Sequence, residues 1–137
     1  MRRVVVTGVG VVSPVGIGTR EFWKSLCEGV SGVGRITRFD ASSYPVQIAA
    51  EVKGFDSLQY VEKKDLKKMD LFIQYALAAA LMAAEDAKLA VNSENNHRIG
   101  VLVGAGIGGL WAIEEHHKIL LRRGPNRISP HFIPSLI

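Results

Sequence analysis

Apolar residues near the start of the chain follow the patterns of a short strand and then a helix. Residues 3–6 form a short β-branched run that ends at a glycine-containing turn at residues 7–10, which predicts a strand buried on both faces. A helix is predicted over residues 20–28, with Thr19 as its N-cap and Gly29 just after its end. Its apolar residues share one face, which we expect to pack on the core. These residues are Phe22, Trp23, Leu26 and Cys27.

The longest periodic pattern lies in the middle of the chain. Apolar residues recur at helical spacing over residues 63–88, which predicts one long core helix. Because many of its side chains are small, another backbone or sheet can approach this helix closely. Ahead of it, residues 31–45 predict a loop and residues 47–52 a short strand. The small residues are Ala76, Ala79, Ala80, Ala83 and Ala84.

A second strand, turn and helix follow. Residues 98–103 are a continuous apolar run that leads directly into a glycine-rich loop at residues 104–109. A helix is predicted over residues 110–123, ended by Gly124 and Pro125. Two buried strands separated by a long helix predict parallel pairing with a right-handed crossover. The sequence therefore indicates an α/β fold.

Composition narrows the classes of function. With 137 residues, 47% of them hydrophobic, the chain has the composition of a globular domain, and its net charge of +4 is too small to require nucleic acid as a partner. The longest apolar stretch, residues 76–84, is shorter than the roughly 20 residues that cross a membrane. The single cysteine, Cys27, excludes an internal disulfide and is interpreted as structural. Metal-ligand spacings are absent from the sequence, so neither a metal nor a cofactor is predicted.

The glycine-rich loop has two interpretations. Gly104, Gly106 and Gly109 match the G-x-G-x-x-G spacing that holds a dinucleotide pyrophosphate at a helix N-terminus. Such a site also needs an acidic residue about 20 positions further on, and residues 126–130 contain none. The pattern therefore favours a packed or substrate-lining turn. In the helix that follows, the adjacent His116 and His117 cannot form an i, i+4 metal pair and are interpreted as surface residues.

A cluster of lysines lies at the amino-terminal end of the predicted long helix, where the helix dipole disfavours cations. One explanation is an ordinary solvated face, because Asp65 and Asp70 offset part of the charge. The other is a docking surface for an acidic protein or a phosphate, which Arg127 would extend. The lysines are Lys63, Lys64, Lys67 and Lys68.

Five segments in order identify a resemblance that covers the whole chain. They are MRRVVVTGVGVVSPVG, SGVGRITRFDASSYP, KKMDLFIQYALAAA, VLVGAGIGGL and GPNRISPHFIP. Together they resemble the start of a β-ketoacyl-(acyl carrier protein) synthase, closest to the type II condensing enzyme of bacterial fatty-acid synthesis. The resemblance implies a thiolase-like layered α/β fold, of which residues 1–137 would be the first part of the first half. It also implies a cytoplasmic homodimer that uses no cofactor.

The resemblance further implies an acyltransferase that joins an acyl thioester to malonyl-acyl carrier protein by decarboxylative Claisen condensation. Its catalytic cysteine and two histidines are expected beyond Ile137, so no catalytic residue is expected in this chain and the chain alone is expected to be inactive. Cys27 does not match the family nucleophile. Two other hypotheses stay open: a noncatalytic chain-length factor of the same fold, and a nucleotide-binding module that uses the Gly104 loop.

Residues outside the catalytic centre carry over by position. Ile107 matches a residue that lines the acyl-chain pocket, and Phe132 and Ile133 match residues that complete the pocket across the dimer interface. Arg127 matches a docking cation, whereas Asn126 stands where relatives often have a second one. The positions that match the basic docking site for acyl carrier protein are Lys64, Lys67 and Lys68.

Overall fold

A computed structural model describes residues 2–136. The chain forms two compact units: the first comprises the residues up to Asp56 together with Ala79–Leu89, and the second comprises Ser57–Ala78 together with the residues from Ala90 onward. The strands are β1 (Val12–Ser13), β2 (Gly16–Ile17), β3 (Val33–Arg35) and β4 (Ile48–Ala50). The α-helices are α1 (Thr19–Cys27), α2 (Lys63–Leu66), α3 (Leu71–Asp86) and α4 (Leu110–Arg123), and single 3₁₀ turns lie at Ser57–Gln59, Asn96–Arg98 and Pro125–Arg127.

Two antiparallel hairpins form the sheets of the first unit. Strand β1 pairs with β2, and β3 pairs with β4 so that Val33 lies opposite Ala50. Strand β4 confirms the strand predicted over residues 47–52. Strand β3 lies within residues 31–45, where a loop was predicted. The loop interpretation is wrong at Val33–Arg35 because this short strand is defined by its pairing with β4, which the composition of the segment does not reveal.

Helix α1 ends as predicted but begins differently. Gly29 has a φ of +67°, and the N–H groups of Gly29 and Val30 donate to the carbonyls of Leu26 and Ser25, which is the Schellman pattern. The N-cap is Gly18, with no side-chain cap, and the predicted cap Thr19 is the first residue of the helix.

The apolar face predicted for α1 is largely solvent-exposed in the described chain. Phe22 is half-buried, whereas Trp23 is 65% exposed and Cys27 is exposed. Amphipathic spacing shows which side chains share a face, but burial of that face depends on an element that covers it. The prediction that this face packs on the core is therefore wrong for residues 2–136.

The two apolar runs predicted as parallel strands lie outside both sheets of the described residues. Val4 is 95% exposed and Leu102 is 99% exposed, and neither residues 3–6 nor residues 98–103 belong to either of the two sheets formed within residues 2–136. A continuous apolar run is suited to burial on both faces, but a strand also needs a neighbour that pairs with its backbone groups. The predicted parallel pair and its crossover are therefore wrong for the described residues.

The helix predicted over residues 63–88 is interrupted. Helix α2 ends at Leu66, and α3 starts at Leu71. Just before α3, the Oδ1 atom of Asp70 accepts the N–H of Leu71 at 2.6 Å, and its carbonyl accepts the N–H of Ile73. The apolar spacing runs on through Met69 and Ile73, so periodicity alone does not reveal the break.

The close approach predicted for the alanine-rich helix is confirmed. A Cβ atom on Gly10 would overlap the carbonyl oxygen of Ala79 and lie 2.7 Å from the nitrogen of Ala83. A Cβ atom on Gly8 would lie 2.6 Å from the nitrogen of Ala87. Only glycine at both positions lets the amino-terminal segment lie directly on the helix backbone.

Burial within residues 2–136 falls on small side chains. The buried apolar residues are Ala41, Val61, Ala78 and Ala112. Large apolar side chains in both units, Trp23 and Trp111 among them, are more than half exposed. None of the helices described is long and apolar enough to span a membrane.

Candidate functional site

The glycine-rich loop of the second unit has an open half and a packed half. A Cβ atom on Gly104 or Gly106 would have nothing within 4 Å, and Ile107 is 77% exposed. Gly108 has a φ of +74°, and a Cβ atom there would lie 2.5 Å from the carbonyl oxygen of Leu136. Gly109 is buried against the same part of the chain. The loop is therefore anchored where α4 begins and free where Ile107 projects.

The start of α4 is poorly suited to a pyrophosphate. The N–H of Gly109 donates to Leu136, and the N–H of Leu110 is directed at the carbonyl of Gly108. The N–H of Ala112 donates to the Oδ2 atom of Asp70 at 3.2 Å. A nucleotide would have to displace these partners and would meet a carboxylate at the helix end that normally attracts anions. The geometry thus counts against the nucleotide-binding hypothesis.

The two adjacent histidines of α4 lie in different environments. His117 is exposed, as predicted. His116 is half-buried: its Nδ1 atom lies 2.9 Å from the carbonyl oxygen of Ala112, and its ring lies 4.6 Å from that of Phe132. The surface interpretation of His116 is therefore wrong, because a helical histidine can turn back onto its own helix and present its ring face to a neighbour.

The predicted pocket residues all lie in the second unit. Ile107 is on the open half of the glycine-rich loop, Phe132 is half-buried beside His116, and Ile133 is 58% exposed. The N–H of Phe132 donates to the carbonyl of Ser129, so Phe132 lies in a turn after α4. Each of the three residues presents apolar surface.

The predicted docking lysines surround the break between α2 and α3. Lys64 forms an ion pair with Glu62, and Lys68 forms one with Asp65, each at 2.6 Å. The hydrogen bond from Lys68 holds the pKa of Asp65 below its usual value. Lys67 is exposed and has no ion pair within the described part of the chain.

The short length of α2 changes the argument about the helix dipole. Helix α2 is a single turn, so the dipole acting on these lysines is smaller than that of the long helix predicted for this region. Exposed ion pairs contribute little to stability and exchange partners readily. Arg127, at the end of the last 3₁₀ turn, is also exposed. The helix dipole therefore no longer distinguishes these lysines from other exposed cations.

No group of three or more potential metal ligands is found among residues 2–136. An open depression beside β3 is lined by residues between Arg35 and Gln47, which include none of the predicted site residues. The features that fit the predicted site are thus the open half of the loop with Ile107, the turn that carries Phe132 and Ile133, and the exposed cations.

The sequence family described as the N-terminal domain of β-ketoacyl synthases matches residues 1–137. The chain belongs to the β-ketoacyl synthase family. It is 53% identical to a 3-oxoacyl-[acyl-carrier-protein] synthase 2 of Vibrio cholerae and 51% identical to that of Coxiella burnetii. Each alignment covers 99% of this chain and 33% of the relative. The chain therefore spans about a third of the length of the curated relatives it matches.

Solved structures confirm the fold. The ishigamide ketosynthase/chain length factor is similar with a TM-score of 0.78 and 32% identity, over 97% of this chain and 33% of that one. A β-ketoacyl synthase from Burkholderia phymatum gives a TM-score of 0.78 at 26% identity, over 100% of this chain and 34% of that one. A third similar structure is a type II polyketide-synthase acyl-carrier protein in complex with its ketosynthase, bound to the hexaketide. It gives a TM-score of 0.77 at 26% identity, over 97% of this chain and 34% of that one. The chain thus has the α/β, thiolase-like fold of ketosynthases, as predicted.

One residue of this region was not predicted to have a structural role. Asp70 was treated only as a charge that offsets neighbouring lysines, but its carboxylate bonds to the start of α3 and to the first turn of α4. An aspartate directly before an apolar helical run is a helix-start signal, which could have located the break. The bond to α4 has no local signal, because Ala112 is 42 positions away.

Proposed function

We propose that this chain is the amino-terminal part of a 3-oxoacyl-(acyl carrier protein) synthase that lengthens acyl chains in fatty-acid synthesis. The observation that carries the proposal is the family match along the whole chain, together with 44–53% identity to relatives named 3-oxoacyl-[acyl-carrier-protein] synthase 2. The chain aligns with 33% of each of these relatives, so the activity is proposed for a longer protein. The catalytic cysteine and two histidines of the proposed enzyme are expected beyond Ile137.

The reaction has two stages. A cysteine thiolate attacks the acyl thioester, forms a new thioester on the enzyme and releases the thiol of the carrier protein. Malonyl-carrier protein then loses carbon dioxide, and the electron pair of the broken carbon–carbon bond forms an enolate that histidine donors stabilise. The enolate carbon attacks the acyl carbonyl, and the thiolate leaves. The chain described here contributes binding surfaces to this chemistry, and no cofactor takes part.

The acyl-pocket proposal is supported by the open half of the glycine-rich loop. Ile107 lies between Gly106 and Gly108, its apolar side chain is 77% exposed, and nothing lies within 4 Å of a Cβ atom built on Gly106. An apolar side chain with free space beside it is suited to lining an acyl chain. Phe132 and Ile133 are proposed to complete the pocket of the other subunit in a homodimer.

Exposed apolar side chains support the proposal that other parts of the protein pack against this chain. Val101 is 85% exposed and Leu102 is 99% exposed, in a run whose composition is suited to burial on both faces. Surfaces of this kind mark places where other parts of a protein or another subunit pack. They are consistent with a chain whose fold is completed by the rest of a ketosynthase and by a second subunit.

The docking proposal assigns Lys64, Lys67, Lys68 and Arg127 to the recognition of acyl carrier protein. All four lie in the second unit, and Lys67 and Arg127 are exposed. The ion pairs of Lys64 and Lys68 are with exposed or half-buried neighbours, so an acidic partner can compete for both lysines at small cost. A structural relative of this chain is a ketosynthase in complex with its acyl-carrier protein.

We place the protein in the cytoplasm, where this pathway operates.

The direct test is a condensation assay on the whole protein that contains this chain. With acyl-carrier protein and malonyl-carrier protein as substrates, we expect one carbon dioxide and one 3-oxoacyl-carrier protein per turnover, measured by radiolabel release and mass spectrometry. Absence of both products, with both substrates intact, would contradict the proposal.

A second candidate function is a noncatalytic chain-length factor. The name of one structural relative, the ishigamide ketosynthase/chain length factor, supports it. The same assay separates the two functions: an enzyme condenses alone, whereas a chain-length factor produces nothing until a catalytic partner subunit is added. A cysteine in the small-residue motif of the family nucleophile, found in the whole protein, would support the enzyme.

A further inference from the structure

The carboxylate of Asp70 is shared between two helices. Its Oδ1 atom accepts the N–H of Leu71, the first residue of α3, at 2.6 Å. Its Oδ2 atom accepts the N–H of Ala112, in the first turn of α4, at 3.2 Å. Both amides lie in the first turn of a helix, where backbone N–H groups have no partner within the helix. Each carboxylate oxygen thus supplies an acceptor for one of them. All of these atoms belong to the second unit.

The same carboxylate lies against the end of the glycine-rich loop. A Cβ atom on Gly109 would lie 3.0 Å from the Oδ2 atom of Asp70 and 2.7 Å from the carbonyl oxygen of Ser135. The N–H of Gly109 is directed at the carbonyl of Leu136. Gly109 is therefore held between Asp70 on one side and residues 135–136 on the other, and it is buried.

We propose that Asp70 is a positioning residue for the acyl pocket. By fixing the point at which the loop becomes α4, Asp70, together with residues 135–136, sets the position of Ile107, which lies two residues before Gly109 and is 77% exposed. The proposal rests on the proposed function, since it assigns Ile107 to an acyl chain. It predicts that loss of the Asp70 bond changes which acyl lengths are accepted, and not merely how much enzyme is folded.

Two substitutions separate the two bonds of the carboxylate. Asp70→Ser keeps an oxygen that can cap α3, since serine and aspartate are comparable N-caps, but its shorter side chain does not extend to Ala112. Asp70→Asn keeps the length and one acceptor, and places an amide N–H group where the second acceptor was. We therefore expect the larger change in Asp70→Ser and an intermediate one in Asp70→Asn.

The chain offers a matched control at the other end of α3. The Oδ2 atom of Asp86 accepts the N–H of Val9 at 2.9 Å, which is the same type of bond from the same helix to a distant backbone amide. Asp86 and Val9 belong to the first unit, away from the glycine-rich loop along the chain. Asp86→Ser shortens the side chain as Asp70→Ser does, removes a comparable bond and should leave the acyl-length profile unchanged.

The experiment uses the whole protein and small acyl thioesters of increasing length. In Asp70→Ser we expect the ratio of kcat/KM for long over short acyl chains to change by about tenfold, since a hydrogen bond to a charged group is lost at the loop anchor. Hydrogen exchange of the amides over residues 108–112, read by mass spectrometry on the folded variants, should become about tenfold faster. Asp86→Ser should alter neither quantity.

The outcomes are distinguishable. Unchanged exchange over residues 108–112 in a folded Asp70→Ser variant would overturn the anchoring role. Suppose that exchange becomes faster but the ratio of kcat/KM for long over short acyl chains is unchanged, in a protein whose parent condenses normally. That result would overturn the link between Asp70 and the acyl pocket, and the anchoring role would stand. An equal loss of kcat/KM at every acyl chain length would show that Asp70 has only a structural role. A parent protein without condensing activity would overturn the proposed function and this inference with it.

Discussion

The chain contains two glycine-bearing segments that follow apolar runs, and they are packed differently. Each is held by a carboxylate from elsewhere in its unit: Asp86 bonds to Val9 within the first segment, and Asp70 bonds to Ala112 just after the second. In the first segment Gly8 and Gly10 lie directly on a helix backbone. In the second, Gly104 and Gly106 have free space around them.

The difference shows that glycine content alone does not identify a ligand loop. Both glycines of the first segment are required by close packing, so that segment has no room for a ligand. The second segment is packed at Gly108 and Gly109 but open beside Ile107. The proposed acyl pocket rests on this anchored loop with one open apolar position.

The largest effect should come from filling the first segment. We expect Gly10→Ala to lower the free energy of unfolding by about 2–3 kcal/mol, because the added Cβ atom would overlap the carbonyl of Ala79. Gly104→Ala, where a Cβ atom meets nothing within 4 Å, should change it by no more than about 0.5 kcal/mol. Urea unfolding of the whole protein measures both. Equal effects at the two positions would remove the contrast between the segments.

The next effect concerns the lysines that precede Asp70. Lys67→Glu combined with Lys68→Glu should weaken binding of acyl carrier protein by about tenfold or more, since two attractive charges become repulsive. Turnover of small acyl thioesters should be preserved. Isothermal calorimetry at low salt measures the binding, because salt screens exposed charges.

The matched control for that charge reversal is Lys24→Glu combined with Lys53→Glu, in the first unit, which changes the net charge equally. If this control weakened carrier binding as much as the reversal at Lys67 and Lys68, net charge and not a docking site would explain the loss.

A smaller effect should follow from releasing the first segment. Asp86→Ala removes the acceptor of the Val9 N–H and should lower the free energy of unfolding by about 1 kcal/mol. The bond is exposed, so water replaces part of it. Thermal unfolding of the variant beside Glu85→Ala, its neighbour on α3, measures the difference. A loss no greater than that of Glu85→Ala would show that the carboxylate does not hold this segment.

The smallest predicted effect is a gain in affinity for acyl carrier protein, where the charge reversal above predicts a loss. Asp65 accepts a hydrogen bond from Lys68, which also holds the pKa of Asp65 below its usual value. Asp65→Asn frees the ammonium group and removes a negative charge, so affinity for acyl carrier protein should rise about two- to fivefold. Glu28→Gln, which removes one charge in the first unit, is the control. Weaker binding by Asp65→Asn would place the carrier protein elsewhere.

Local signals predicted part of the fold. The bounds of α4 and the glycines after α1 and α4 were identified correctly, because helix periodicity and glycine at a helix end are encoded within a few residues. The close approach to the alanine-rich helix followed from side-chain size alone. The resemblance to ketosynthases supplied the family, which the comparisons confirm.

Other features depend on distant contacts. The strands predicted at residues 3–6 and 98–103 require neighbours to pair with, which the described chain does not place beside them. The break before α3 has a local signal in Asp70, but the bond from Asp70 to α4 joins positions 42 apart, so no window of sequence reveals that bond. The half-buried position of His116 likewise depends on Phe132, which follows α4.

Substitution at Ile107 tests most directly whether the open half of the second segment lines an acyl chain. In the whole protein, Ile107→Phe should shorten the longest acyl chain accepted, because the larger side chain occupies the pocket, while turnover of the shortest substrates is retained. Ile107→Val, which is smaller, should leave the long chains accepted. A product-length profile unchanged by Ile107→Phe, measured by mass spectrometry of the 3-oxoacyl products, would contradict the assignment of this loop to the substrate.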